Sequence, residues 1–96
     1  MKAYVIVNVA IRDAERYKDY VKAATPTVAA HGGRYIVRGG RAERLEGSLA
    51  VNRIVVLEFP SYAQARNWYH SPDYQAALAI RQSCSTGDLV VVEGMP

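Results

Sequence analysis

Two segments of this chain, Tyr4 to Val9 and Ile54 to Phe59, are apolar at almost every position. Successive side chains of a strand point to opposite faces, so a run of this kind is apolar on both sides and needs two covers. In the first segment Tyr4 and Ile6 fall on one face, and Val5, Val7 and Val9 on the other. A chain of 96 residues has the length of one domain, 1–96, with a thin core. The folding problem is how so short a chain covers both faces of its strands.

The other elements are marked by their punctuation. Asp13 is placed as an N-cap with Glu15 in the first turn. Ala14, Tyr17, Val21, Ala24 and Val28 then step by three and four along one helical stripe. Pro26 interrupts that stripe and is expected to kink the helix or start a new turn, and Gly32-Gly33 ends it. Tyr35-Ile36-Val37 reads as a second strand closed by Gly39-Gly40, and Arg41 to Asn52 as a long polar hairpin connection. Ser61 and Gln64 have capping-box spacing and open a helix carrying Ala65, Trp68 and Tyr69. Ser71-Pro72-Asp73 is a second start signal, followed by a helix with Tyr74, Ala77, Leu78 and Arg81 on one face. Thr86-Gly87 is expected to stop it, leaving Leu89 to Val92 as the last strand.

The order is β-α-β-β-α-β with the second helix broken in two. Right-handed crossovers turn it into an α+β, ferredoxin-like fold: a four-stranded antiparallel sheet with the helices on one face. The opposite face stays apolar, a larger patch than a soluble monomer tolerates. Pairing two sheets face to face in a C2 homodimer closes it.

Several function classes fall away on composition and motifs. No apolar run approaches the roughly 20 residues that span a bilayer, so no membrane partner is expected. Met1-Lys2-Ala3-Tyr4-Val5-Ile6 is followed by no signal-peptide core or cleavage site, and Cys84 is the only cysteine. A cytoplasmic location is the expectation. Two histidines without metal spacing argue against a zinc or iron site. No Gly-rich phosphate loop and no G-x-S-x-G elbow is present, and no cofactor is expected.

The charge is uneven. Five arginines between Arg34 and Arg53, set against Glu43 and Glu46, account for the whole formal net charge of +3. Clustered guanidinium groups suit a small anionic molecule, although a solvated hairpin tip carries the same pattern. Nucleic acid is not expected, because no basic run or stacking aromatic string accompanies them.

The candidate site residues each have a structural alternative. His31, at the end of the first helix, is a candidate proton shuttle or simply a cap. Glu58, a carboxylate in an apolar strand, is a general base if its pKa is raised and a structural group if it is paired. Arg38 precedes Gly39-Gly40 and is a candidate anchor for an anion, with a salt bridge to Glu58 as the alternative. Tyr35, Trp68 and Tyr74 are candidate walls of the pocket, or core plugs.

The segments His31-Gly32-Gly33-Arg34-Tyr35-Ile36-Val37-Arg38-Gly39-Gly40, Leu45-Glu46-Gly47, Leu57-Glu58-Phe59-Pro60-Ser61 and Trp68-Tyr69-His70-Ser71-Pro72-Asp73-Tyr74 carry a resemblance. Together they resemble a bacterial domain-of-unknown-function family, the one numbered 1330, of the dimeric α/β-barrel superfamily. The resemblance runs nearly end to end and implies the fold and the sheet-to-sheet dimer. Its superfamily holds cofactor-independent monooxygenases, muconolactone-isomerase-like enzymes, haem-handling members and stress-related binding domains, and the resemblance selects none of them. Two functions therefore stay open. One is a cofactor-independent enzyme acting on a small anionic organic molecule between sheet and helices, which would gather Arg38, Glu58, His31 and Trp68 around one cavity. The other is a non-catalytic ligand-binding or stress-related domain of the same fold.

Overall fold

β1 (Ala3–Ile11) is the hub of the computed structural model, which describes all 96 residues. It pairs antiparallel with β3 (Arg53–Phe59) on one side and β4 (Ser85–Glu93) on the other. β2 (Arg34–Arg38) adds outside β3, giving the order β2-β3-β1-β4. The helices are α1 (Ala14–Ala30), α2 (Tyr62–His70) and α3 (Pro72–Cys84), so the expected β-α-β-β-α-β order with a divided second helix is present.

Strand alternation sorts the sheet into two faces. Ala3, Val5, Val7 and Val9 of β1, with Val55, Leu57 and Phe59 of β3, are buried with Tyr17, Ala24 and Val28 of α1, Ala65 and Trp68 of α2, and Tyr74, Ala77, Leu78 and Cys84 of α3. The other face carries Ile6, which stands opposite Val56 and Val90, while Val37 stands opposite Val56. That row crosses all four strands, and Ile6, Val37 and Val90 are 38, 39 and 55% exposed. An apolar row of this width has no partner within the chain.

The caps act where expected. Asp13, Ser61 and Ser71 accept hydrogen bonds from the backbone N–H of Arg16, Gln64 and Tyr74. α1 ends in a Schellman turn: Gly32 N–H donates to Ala29 O, Gly33 N–H donates to Val28 O, and Gly32 has φ +80°.

Two expectations are corrected. Pro26 starts no new turn, because the first helix runs unbroken from Ala14 to Ala30. Pro26 and Lys22, whose carbonyl its missing N–H leaves unpaired, are both exposed, where a lost helix bond costs less than in the core. Thr86-Gly87 does not stop α3; the chain passes from helix to strand at Ser85, and both residues lie inside β4. Arg12 N–H and Asp13 N–H close the helix by donating to Cys84 O. A Cβ at Gly87 would overlap Asn8 O of β1, so this glycine serves a close approach of strands. No helix is long and apolar enough to cross a membrane.

Candidate functional site

β2 is irregular. Arg34 stands opposite Glu58 and Tyr35 opposite Leu57, but Val37 stands opposite Val56 and Arg38 opposite Val55, with a bulge between Tyr35 and Val37. Tyr35 and Arg38 are three apart, which in a regular strand puts them on opposite faces. The extra residue brings both to the helix side, where they meet α1.

The pocket formed there is lined by Val7, Tyr17, Tyr20, Val21, Tyr35, Arg38, Arg53, Val55, Leu57 and Trp68. Its hollow measures about 420 Å³ with the open mouth included, but the enclosed space is about 30 Å³. That is room for a water molecule or two. Arg38 lies across the mouth: its Nη2 donates to Thr25 Oγ1 of α1 at 2.8 Å, and its Cζ sits 4.1 Å from the Tyr35 ring centre. Arg53, the first residue of β3, reaches the pocket from the floor, with its Cζ 6.0 Å from the centre of the Tyr17 ring. Its Nε is buried with no hydrogen-bond partner. Neither arginine takes part in an ion pair.

Tyrosines form the helix-side wall. Tyr17 and Tyr20 pack with ring centres 5.2 Å apart, and the hydroxyls of Tyr20 and Tyr74 share a hydrogen bond of 3.0 Å. Burial raises the pKa of Tyr17, Tyr20 and Tyr74 above the ordinary phenol range. Trp68 is held by Nε1 donating to Thr27 Oγ1 at 3.0 Å, and Thr27 in turn donates to Ala24 O. Burying the indole therefore leaves no donor unsatisfied.

The structure brings Tyr35, Arg38 and Trp68 into one pocket and leaves His31, Glu58 and Tyr74 outside it. His31 caps α1, and its Nδ1 bonds Thr27 O at 2.8 Å. A carbonyl only accepts, so Nδ1 carries the proton. Glu58 points to the opposite face. It accepts from Arg34 Nε at 3.0 Å and pairs with Lys2 at 3.4 Å, so the expected alternative of an Arg38–Glu58 salt bridge is not formed. The Arg34 bond holds the Glu58 carboxyl below its ordinary pKa, the reverse of what a general base needs. Tyr74 is fully buried behind Trp68, their ring centres 4.1 Å apart. No group of three or more His, Cys, Asp or Glu side chains could hold a metal ion.

Tyr20 and Arg53 were not among the expected site residues. Both had a signal: Tyr17 and Tyr20 are three apart on one helix, and Arg53 shares the parity of Val55, Leu57 and Phe59 along β3.

The family model for Domain of unknown function (DUF1330) matches residues 2–95. The chain belongs to this family. Among solved structures, this DUF1330 chain is similar to a protein of unknown function from Rhodopseudomonas palustris, with 20% identity and a TM-score of 0.80 over 99% of this chain and 83% of that one. SnoaB, a cofactor-independent oxygenase from Streptomyces nogalater, is similar at 11% identity and a TM-score of 0.69, over 99% and 94% of the two chains. A dimeric ferredoxin-like protein of unknown function from Thermobifida fusca is similar at 18% identity and a TM-score of 0.62, over 100% and 92%. These likenesses show the ferredoxin-like fold. No curated protein matches the chain.

Proposed function

We propose that this DUF1330 protein is a homodimeric binding domain for a small, mostly apolar organic molecule carrying one anionic group, held between α1 and the sheet. The observation that carries this reading is the pairing of Arg38 and Arg53, neither with an acidic partner, at a pocket whose other lining residues are apolar or aromatic. Two uncompensated guanidinium groups beside aromatic walls favour a ligand that brings the missing negative charge. The enclosed space is too small for such a ligand, so entry requires Arg38 to swing off Thr25.

The enzymatic reading, a cofactor-independent enzyme acting on a small anionic molecule, has weaker support. Only tyrosine hydroxyls offer a titratable proton within the lining, and burial resists ionisation of Tyr17 and Tyr20. The arrangement is better suited to holding a molecule than to exchanging protons with it.

A thermal-shift screen of small carboxylates, each beside its neutral amide or alcohol, tests the binding reading. Acids are expected to raise Tm by several degrees, because a ligand bound only by the folded state stabilises it in proportion to occupancy. Equal shifts from neutral partners would remove the anionic group from the proposal, and no shift from any compound would remove the pocket.

A further inference from the structure

We infer that the ligand is a planar aryl acid whose oxyanion is fixed by Arg53 on the pocket floor, with Arg38 acting as a strap over its mouth. The inference rests on the pocket reading above and adds the ligand class, its orientation and the division of labour between the two arginines.

Arg53 has the surroundings of a fixed anchor. It starts β3, an inner strand, and stands opposite Val9, so its backbone is held at that end of the β1–β3 ladder. A Cβ at Gly39 would overlap Arg53 Nη1, and Gly39 has φ +72°. The hairpin thus turns beside the guanidinium through a conformation that other residues rarely adopt. Tyr17 faces the group from α1. In this confined setting Nε is buried without an acceptor, although a guanidinium carries five donors and stays charged at any ordinary pH. Buried polar groups are nearly always partnered, and the partner missing here is an acceptor.

Arg38 is built differently. Its residue is exposed, its Nη2 is engaged with Thr25, and its guanidinium is stacked on Tyr35. Breaking those contacts opens the mouth, and remaking them over a bound molecule closes it. An anchor does not have to let go for the ligand to enter; a strap does.

The pocket that both arginines line is also lined by Tyr17, Tyr20, Tyr35 and Trp68. Aromatic rings lining a narrow gap favour a flat body in offset or edge contact. An aryl carboxylate fits this chemistry, with its oxygens on the Arg53 edge and its ring toward Trp68.

Trp68 is the only tryptophan of the chain, so its fluorescence reports on the pocket without a label. Benzoate, 4-hydroxybenzoate and 2-naphthoate serve as probes, with benzamide and benzyl alcohol as neutral controls. Saturable fluorescence changes are expected with the acids. Affinity should fall roughly ten- to hundredfold in Arg53→Met. It should also fall in Arg53→Lys, which keeps the charge and loses the fork. Arg38→Ala should change affinity by less than about threefold while the ligand leaves faster in stopped flow. Arg53→Met binding the acids like wild type, or Arg38→Ala losing as much affinity as Arg53→Met, overturns the assignment. If Arg53→Met fails to fold by circular dichroism, Arg53→Lys decides alone. Neutral controls that bind as well as the acids overturn the anchor but keep the pocket; silence from every probe overturns both.

Discussion

Single residues show where this protein departs from ordinary packing. Arg81 is 8% exposed and its Nη1 is buried without a hydrogen-bond partner, yet it makes no ion pair. Its Cζ lies 6.0 Å from the centre of the Tyr20 ring, so aromatic faces are its nearest compensation. A buried cation without a carboxylate costs desolvation that a neutral side chain of similar reach avoids. Arg81→Met is therefore expected to be neutral or stabilising by up to about 2 kcal/mol. In thermal unfolding that is a Tm equal to wild type or several degrees higher. A clear loss of stability would mean that Arg81 is held by an acceptor such as an internal water. The helical spacing along α3 placed Arg81 on the Tyr74, Ala77 and Leu78 face, but did not show its lack of a partner, which depends on what α1 brings opposite.

At the scale of elements, the junction from α1 to β2 connects the pocket to the rest of the core. Gly32-Gly33 was legible as a helix stop, and Gly32 meets that need through its positive φ. Gly33 has a second role that no local pattern reveals: a Cβ there would lie 2.5 Å from Cε1 of Phe59. Phe59 is 1% exposed and packs 5.4 Å from Trp68, so it has little room to retreat. Gly33→Ala is expected to destabilise the fold by about 1–3 kcal/mol through overpacking. The accompanying Tm loss is several degrees or more, with a shift in Trp68 emission. A Tm within a degree or two of wild type would show that β2 can slide away from Phe59. The bulge in β2 escaped the sequence for a similar reason. Arg34 to Arg38 is long enough to be a strand, but where the extra residue falls depends on pairing with β3.

For the whole molecule, the outer sheet face is the expected place of self-association. Ile6, Val37, Val56 and Val90 form a row with Tyr4 and Val92 beside it, and none of the three helices lies over them. Self-association through this face is expected to give a dimer at micromolar concentration in analytical ultracentrifugation, with little stable monomer. Val56→Glu places a charge in the centre of the row and should shift the mass toward monomer or reduce solubility. The monomer mass at every wild-type concentration would refute the pairing.

Periodicity and caps in the sequence determined the number, kind and order of the elements, because those depend on residues near one another in the chain. They also determined that one sheet face has no cover, since alternation in Tyr4 to Val9 and Ile54 to Phe59 is enough to show it. The grouping of site residues was decided only in three dimensions. Glu58 and Arg38 share neighbouring strands, but the bulge and the parity of β3 send them to opposite faces, where Glu58 takes Arg34 and Lys2 instead. Tyr20 and Arg53, 33 positions apart in the numbering, meet at the pocket because α1 folds back over the sheet. Contacts of that separation are fixed by register and packing, which no local pattern records.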